Sequence, residues 1–347
     1  MKTSVLLIGN FLSSPSASFG VCQSLAPRLA ALGWPVLTSS ARAGRLARVA
    51  DMISTAWSRR SQYEVAHVDV YSGPAFLWAE AVCWVLRRAR KPFLLTLHGG
   101  NLPAFARGRT SRVRSLLRSA AVVTTPSGYL RDQMRPYRDD LRLVPNPLDL
   151  SAYSFHLRER PQPRIIWLRA FHQIYNPALA PKVLAALSQK FPDARLTMIG
   201  PDKRDGSLKL TTRIAGELGV TGRLTLPGVV PKFNVPESLN RADVFLNTSN
   251  VDNAPVSILE AMACGLCIVS TNIGGIPHLL EDGKDALLVP PNDPDAMAAA
   301  VRRILTEPGL GRSLSLHARA KAEESDWSVL LPQWQTLLAS AASGSRQ

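Results

Sequence analysis

Two carboxylates stand eight residues apart in the segment Asn247–Gly275, NTSNVDNAPVSILEAMACGLCIVSTNIGG. Asp252 lies in a polar loop that follows an apolar run ending at Asn247, and Glu260 lies inside the stretch beyond it. Pro255 suits the first turn of a helix, which the pattern carries to about Ala263 before Gly265 stops it. A helix start offers free N–H groups and the positive end of a dipole, a seat for phosphate. About a turn and a half into that helix, Glu260 can accept hydrogen bonds from the vicinal hydroxyls of a sugar. The loop carboxylate at 252 can reach hydroxyls on a second sugar beyond the phosphates. The alternative is that Asp252 caps the helix and Glu260 is a solvated helix residue.

Two further residues sit directly after apolar runs. Arg169 follows Ile165–Leu168, and a guanidinium fork suits two phosphate oxygens. His98 follows Phe93–Leu97 in LTLHGGNLP, where the two glycines behind it admit close approach of a substrate. Cys264 and Cys267 form a C-x2-C, but with no second pair and with apolar neighbours they read as core residues rather than a metal or redox site.

These residues need elements to position them, and the chain supplies a regular alternation. Short apolar runs at Val5–Ile8, Val36–Thr38, Val65–Val70, Phe93–Leu97, Ala121–Thr124 and Leu141–Val144 alternate with helical patterns. Residues 145–164, PNPLDLSAYSFHLRERPQPR, are rich in Pro and charge and read as a linker. The alternation resumes with Ile165–Leu168, Leu196–Ile199, Leu224–Leu226, Val244–Asn247, Cys267–Ser270 and Ala286–Val289, and residues 294–343 are helical. Two such blocks predict an α/β protein of two doubly wound, mostly parallel domains, 1–150 and 151–347, with the last helix (328–343) a candidate to pack on the first. In such sheets ligands bind at the carboxyl ends of strands, where Arg169, Asp252 and His98 fall. No G-x-G-x-x-G or P-loop motif is present, which weakens dehydrogenase and ATPase readings.

Composition narrows the class further. The 347 residues are 46% hydrophobic and 19% charged, which excludes a disordered or fibrous chain. Four scattered cysteines make no disulfide scaffold and fit a reducing cytosol. No apolar stretch reaches the ~20 residues of a membrane span, and the run Val5–Ile8 is shorter than a signal-peptide core and reads as a first strand. The net charge of +15 is uneven: residues 1–150 carry +12 and the remainder +3. An anionic partner for the first half follows: nucleic acid, phospholipid headgroups or a phosphorylated substrate. Residues 102–118 interleave five Arg with Phe105, Val113, Leu116 and Leu117. Such a face suits either a membrane surface or an ordinary basic helix on the sheet. Trp78 and Trp84 read as core.

The carboxylate, seven residues, Glu pattern followed by A-M-A-C-G resembles the donor-binding signature of family 4 retaining glycosyltransferases, which have the GT-B fold. Weaker matches fall in the expected order over most of the chain: VPNPLDLSAY, Leu226–Val230 with Ala242–Phe245, Gly274-Gly275-Ile276-Pro277, and Gly283–Val289. The resemblance implies two Rossmann-like domains facing across a cleft. It implies that Glu260 holds the nucleotide ribose and that Asp252, where the family usually has Glu, contacts the transferred sugar. Ala254, Pro255 and Val256 at the helix start and Val230 near the base complete the donor site. Arg169 neutralises the leaving diphosphate, His98 helps position the sugar, and Gly20, in the loop from Gly9 that lies over the diphosphate and acceptor, approaches them. The family's second diphosphate cation, a Lys about five residues after the Arg, is absent: positions 174 and 175 are Ile and Tyr. His172, Lys203 or the nearby backbone are its candidate substitutes. His278 replaces a Glu common after G-G-x-P.

The expected reaction is retaining transfer of a hexosyl group from a UDP- or GDP-linked donor to an acceptor hydroxyl, in bacterial polysaccharide or glycolipid synthesis, with no cofactor and no metal. Partners are the nucleotide-sugar donor and a sugar or lipid-linked acceptor, with peripheral contact between the first domain and an anionic membrane; nucleic acid is disfavoured. The expected location is the cytoplasm. A GT-B-type epimerase or phosphorylase, and a non-catalytic nucleic-acid- or membrane-binding protein, are the alternatives.

Overall fold

The computed structural model describes residues 2–12 and 20–343. All twelve apolar runs become strands. They are β1 (Val5–Ile8), β2 (Val36–Ser39), β3 (Val65–Val70), β4 (Phe93–Leu97), β5 (Val122–Thr125) and β6 (Arg142–Leu143) in one sheet, and β7 (Arg164–Leu168), β8 (Arg195–Ile199), β9 (Leu224–Gly228), β10 (Val244–Asn247), β11 (Cys267–Thr271) and β12 (Ala286–Val289) in another. Every pairing between neighbours is parallel. A parallel sheet covered by helices on both faces needs strands that are apolar throughout, which is why the runs stood out. β1, β4, β10 and β11 are buried at every position.

The chain divides into two compact units, one built from Met1–Pro147 with Ser328–Gln347 and the other from Leu148–Trp327. The first sheet has the order β2-β1-β3-β4-β5-β6, and the second β12-β11-β10-β7-β8-β9. In each, the direction of winding reverses beside the unit's first strand, between β1 and β3 and between β7 and β10. Such switch points open a crevice at the carboxyl ends of the strands. Within the first unit, the helix Trp327–Ser343 buries Trp334 completely, with its ring 5.0 Å from that of His67 on β3.

Two readings need correction, and one open alternative is decided. Residues 148–164 are not a free linker but part of the second unit. Arg158 there is 4% exposed and forms an ion pair with Asp243 at 3.0 Å, and it also donates to the carbonyls of Ala242 (2.8 Å) and Cys264 (3.0 Å). The basic stretch 102–118 forms the helices Leu102–Arg107 and Thr110–Arg118, whose Val113, Leu116 and Leu117 are in the core while Phe105 packs against it. Its apolar face is spent on the sheet and is not available to a bilayer. Trp84 is 56% exposed, because the helix Pro74–Arg88 turns Val82, Cys83, Val85 and Leu86 inward and leaves position 84 outside, beneath the Arg88 guanidinium. The four cysteines are free and buried, and burial pushes the thiols of Cys264 and Cys267 up to about 12.

Candidate functional site

The second unit gathers the signature residues at its switch point. Arg169 leaves the carboxyl end of β7, and the loop that leaves β10 carries Asp252. The two side chains form an ion pair, with 17% and 9% of each exposed. The Arg169 guanidinium also lies 4.3 Å from the centre of the Tyr175 ring, a cation–π contact. Its Nε is buried and finds no hydrogen-bond partner among the described residues. Asp252 accepts from Ser249 Oγ (3.1 Å) and from the N–H of Asn253 (2.9 Å). It is therefore turned toward Arg169 and its own loop, and the helix-capping alternative does not hold.

That loop is held by the G-G-x-P element. The N–H of Gly275 donates to the carbonyl of Asp252 (3.0 Å). A Cβ on Gly274 or Gly275 would lie 2.3 Å from the carbonyl oxygen of Asp252 or 1.9 Å from that of Asn253, so both positions must be glycine for the loops to close. The helix Val256–Ala263 then starts after Pro255, whose side chain makes no capping hydrogen bond. The N–H of Ile258 returns to the carbonyl of Pro255 (3.1 Å), and the N–H groups of Val256 and Ser257, with the helix dipole, stand at its start to meet an acceptor. Ser257 Oγ, in its first turn, is buried and has no partner among the described residues. Ala254 and Pro255 lead into this turn, and Val230 packs against the apolar cluster that contains the helix.

Glu260 is 3% exposed, which overturns its reading as a solvated residue. A buried carboxylate needs partners. Tyr153 donates to Oε1 at 2.7 Å, and the Lys232 ammonium forms an ion pair with the same oxygen. Burial, reinforced by the charge of Glu260, holds the Tyr153 hydroxyl well above the usual phenol range, so it stays a donor. Neither partner was assigned a site role from sequence. Tyr153 ends the VPNPLDLSAY segment, whereas nothing in the spacing around Lys232 marks it. Of the substitutes considered for the missing lysine, His172 accepts the N–H of Ile174 at Nδ1 (3.2 Å) with Asp205 3.7 Å away, and Lys203 is exposed on the loop after β8.

The first unit assembles a second cluster at its own switch point. His98, after β4, has its Nε2 at 2.9 Å from Asp69 Oδ1 and stacks on Tyr71 with ring centres 4.8 Å apart. Asp69, on β3, was not singled out in the sequence, although a carboxylate near the end of a buried strand is itself a signal. Burial pushes its carboxyl up, but the charge and hydrogen bond of His98 outweigh this, with help from His67 and Cys22, and hold it below the usual range. A Cβ on Gly9 would lie 2.7 Å from Asp69 Oδ2, so glycine there is what lets the carboxylate fit. Gly20 is also beside it, since a Cβ there would be 3.8 Å from the same oxygen. Residues 13–19 of that loop lie outside the described residues.

Behind this cluster a hydrogen-bond chain fixes one tautomer. Thr124 Oγ1 donates to the carbonyl of Leu95 (3.2 Å), so it accepts from Thr96 Oγ1 (2.7 Å), which in turn accepts from His67 Nε2–H (2.6 Å). The His67 Nδ1 lone pair is left to face Cys22 Sγ at 3.6 Å. Cys22, His67 and Asp69 each bring a ligand atom within 4.8 Å of the others. Burial holds the thiol protonated and Asp69 is bonded to His98, so the cluster satisfies itself through hydrogen bonds. Burial also lowers His67 to about 4 from 6.5. As pH falls below 6.5 the unfolded chain takes up this proton before the folded one does. Stability is therefore expected to fall between pH 6.5 and 4 by up to about 3 kcal/mol. Urea unfolding across that window checks this: His67→Gln should flatten the slope, and an unchanged slope contradicts it.

The family model described as "Glycosyl transferases group 1" matches residues 154–323, and "Glycosyltransferase Family 4" matches residues 21–152. A GDP-mannose-dependent alpha-(1-6)-phosphatidylinositol monomannoside mannosyltransferase of Mycolicibacterium smegmatis is 27% identical over 262 residues, 68% of this chain and 65% of that protein. The match thus spans less than two thirds of that relative's own length. Sucrose-phosphate synthase of Thermosynechococcus elongatus superposes with a TM-score of 0.77 at 19% identity, covering 99% of this chain and all of the other. HepE of Anabaena, solved with UDP and glucose, gives a TM-score of 0.74 at 18% identity over 97% of this chain and all of that one. With both family models matched in order, and with two parallel six-stranded sheets of the GT-B kind, the chain belongs to the group 1, or family 4, glycosyltransferases.

Proposed function

We propose that this chain transfers a hexosyl group from a nucleoside diphosphate sugar to an acceptor hydroxyl with retention of configuration. The observation that carries this reading is the convergence, at one switch point, of a helix start behind Pro255, a guanidinium, the half-buried carboxylate of Asp252 and the buried one of Glu260. Glu260 takes the ribose hydroxyls and Asp252 those of the transferred sugar. The N–H groups at Val256 and Ser257, with Arg169, take the diphosphate. The unpartnered Arg169 Nε and Ser257 Oγ support this, since a buried polar atom without a partner is costly unless a ligand supplies one. In the first unit, His98, oriented by Asp69 and Tyr71, offers its imidazole to a sugar hydroxyl.

The reaction then runs on electrostatics. As the glycosidic C–O bond breaks, charge develops on the diphosphate oxygen and is met by preorganised donors, while the sugar becomes oxocarbenium-like. The acceptor hydroxyl attacks from the face the phosphate leaves and passes its proton to a phosphate oxygen. All of this is done with side chains and backbone, so neither cofactor nor metal is invoked. The +12 charge of residues 1–150 supports an anionic acceptor, such as a lipid-linked phosphate met by peripheral contact at the cytoplasmic face of a membrane. Among the described residues no helix is long and apolar enough to cross a membrane.

One relative's name specifies GDP-mannose and one structural neighbour was solved with UDP, so both bases belong in the test. UDP- and GDP-hexoses are incubated with sugar and lipid-phosphate acceptors, and products are read by mass spectrometry and anomeric NMR. The expected result is an acceptor heavier by one hexose, with the donor's anomeric configuration. Consumption of donor without acceptor, giving an altered sugar, would favour an epimerase. No consumption of any donor, together with RNA binding at physiological salt, would overturn the reading.

A further inference from the structure

A leaving diphosphate carries more negative charge than one guanidinium balances, and where the resemblance expects the second cation the chain has Ile174 and Tyr175. The Tyr175 ring lies against the Arg169 guanidinium rather than adding a charge. Among the substitutes named from the sequence, His172 uses its Nδ1 to accept the N–H of Ile174 (3.2 Å), and Lys203 stands exposed on the loop after β8. Lys232 lies on the turn Lys232–Asn234 beyond β9, 27% of its side chain is exposed, and its ammonium is paired with Glu260. Glu260 is four residues from the helix start, or about 6 Å along the axis, within the swing of a lysine side chain.

The partners of the two carboxylates show a common plan. Glu260 has one neutral donor, Tyr153, and one cation, Lys232. Asp252 has neutral donors, Ser249 Oγ and the Asn253 N–H, and one cation, Arg169. Each cation can therefore leave without orphaning a buried carboxylate, provided a hydroxyl arrives in its place. A nucleoside diphosphate sugar carries both halves of that exchange: vicinal hydroxyls for the carboxylates and phosphate oxygens for the cations. Resting on the donor reading above, we propose that Lys232 is the second diphosphate cation of this site. It is held on Glu260 and transferred to the phosphates as the ribose hydroxyls take its place.

The test separates phosphate recognition from support of Glu260. Affinities for UDP and uridine, and for GDP and guanosine, are measured by ligand-detected NMR and calorimetry for the wild type, Lys232→Gln and Lys232→Arg. Glutamine keeps an N–H donor for Glu260 but removes the charge. The expected result is that Lys232→Gln weakens the preferred nucleoside diphosphate by about 30- to 100-fold while shifting its nucleoside by less than about threefold. Lys232→Arg should stay within about fivefold for the nucleoside diphosphate. Equal weakening of nucleoside and diphosphate, or an unchanged diphosphate affinity, would overturn the assignment while leaving the donor reading intact. A wild type that binds neither nucleoside diphosphate would overturn the donor reading, and this assignment with it.

Discussion

Arg169→Ala is expected to lower kcat by about 10³-fold at saturating donor and to leave the protein folded. Removing one preorganised donor from a developing oxyanion costs about 10²–10³ in kcat, and here the loss is compounded. Asp252 loses its counter-charge and becomes an unscreened carboxylate beside the leaving diphosphate. Folding suffers less, because Asp252 keeps Ser249 Oγ and the Asn253 N–H, and the alanine leaves no charge behind. Arg169→Lys should recover only part of the rate, since an ammonium keeps the charge but loses the fork and much of the stacking on Tyr175. Steady-state rates with thermal melts of both variants provide the check. A kcat for Arg169→Ala within tenfold of wild type would remove Arg169 from the chemistry.

The largest effect on stability is expected at Asp243. It pairs with Arg158 and also accepts from the Arg164 guanidinium (2.8 Å) and the N–H of Gln162 (2.9 Å). Arg158 is the critical partner because it is 4% exposed. Burial pushes its guanidinium down from its ordinary value, and Asp243 is the strongest influence opposing that shift. Asp243→Ala would leave this cation desolvated and unpaired, and breaking a buried pair in this way costs about 3–5 kcal/mol. Replacing both partners with apolar residues, as in Arg158→Met with Asp243→Leu, should recover much of the loss, since the penalty comes from the orphaned charge. Denaturant unfolding measures both variants. A loss under about 1 kcal/mol for Asp243→Ala would mean that water reaches Arg158.

The same pair shows where sequence reasoning ran out. A segment dense in Pro and Arg reads as an exposed connection, and only the fold brings Asp243 back to neutralise Arg158, 85 positions earlier. The strands were legible because parallel strands buried on both faces leave apolar runs with no polar face to blur them. The chemistry-bearing ends of those strands were legible for the same reason: Arg169, His98 and Asp252 each follow directly on such a run or its loop. Glu260 was visible through its spacing, but its environment was not. A carboxylate on a helix reads as solvated until Tyr153 and Lys232, 107 and 28 positions away, are seen to close over it. The Asp69–His98 pair, 29 positions apart at the ends of neighbouring strands, was hidden likewise. The basic segment at 102–118 stayed ambiguous, because its pattern suits a membrane surface and a sheet face equally, and only the packing of Val113, Leu116 and Leu117 decides for the sheet.

The most direct measurement is a crystal structure of the protein soaked with the nucleoside diphosphate, UDP or GDP, that it binds more tightly. The expected result is ribose hydroxyls on Glu260, phosphates on the N–H groups at Val256 and Ser257 with Arg169, and the Arg169–Asp252 ion pair broken. A nucleotide bound elsewhere, or one bound here with Arg169 still on Asp252, would contradict it.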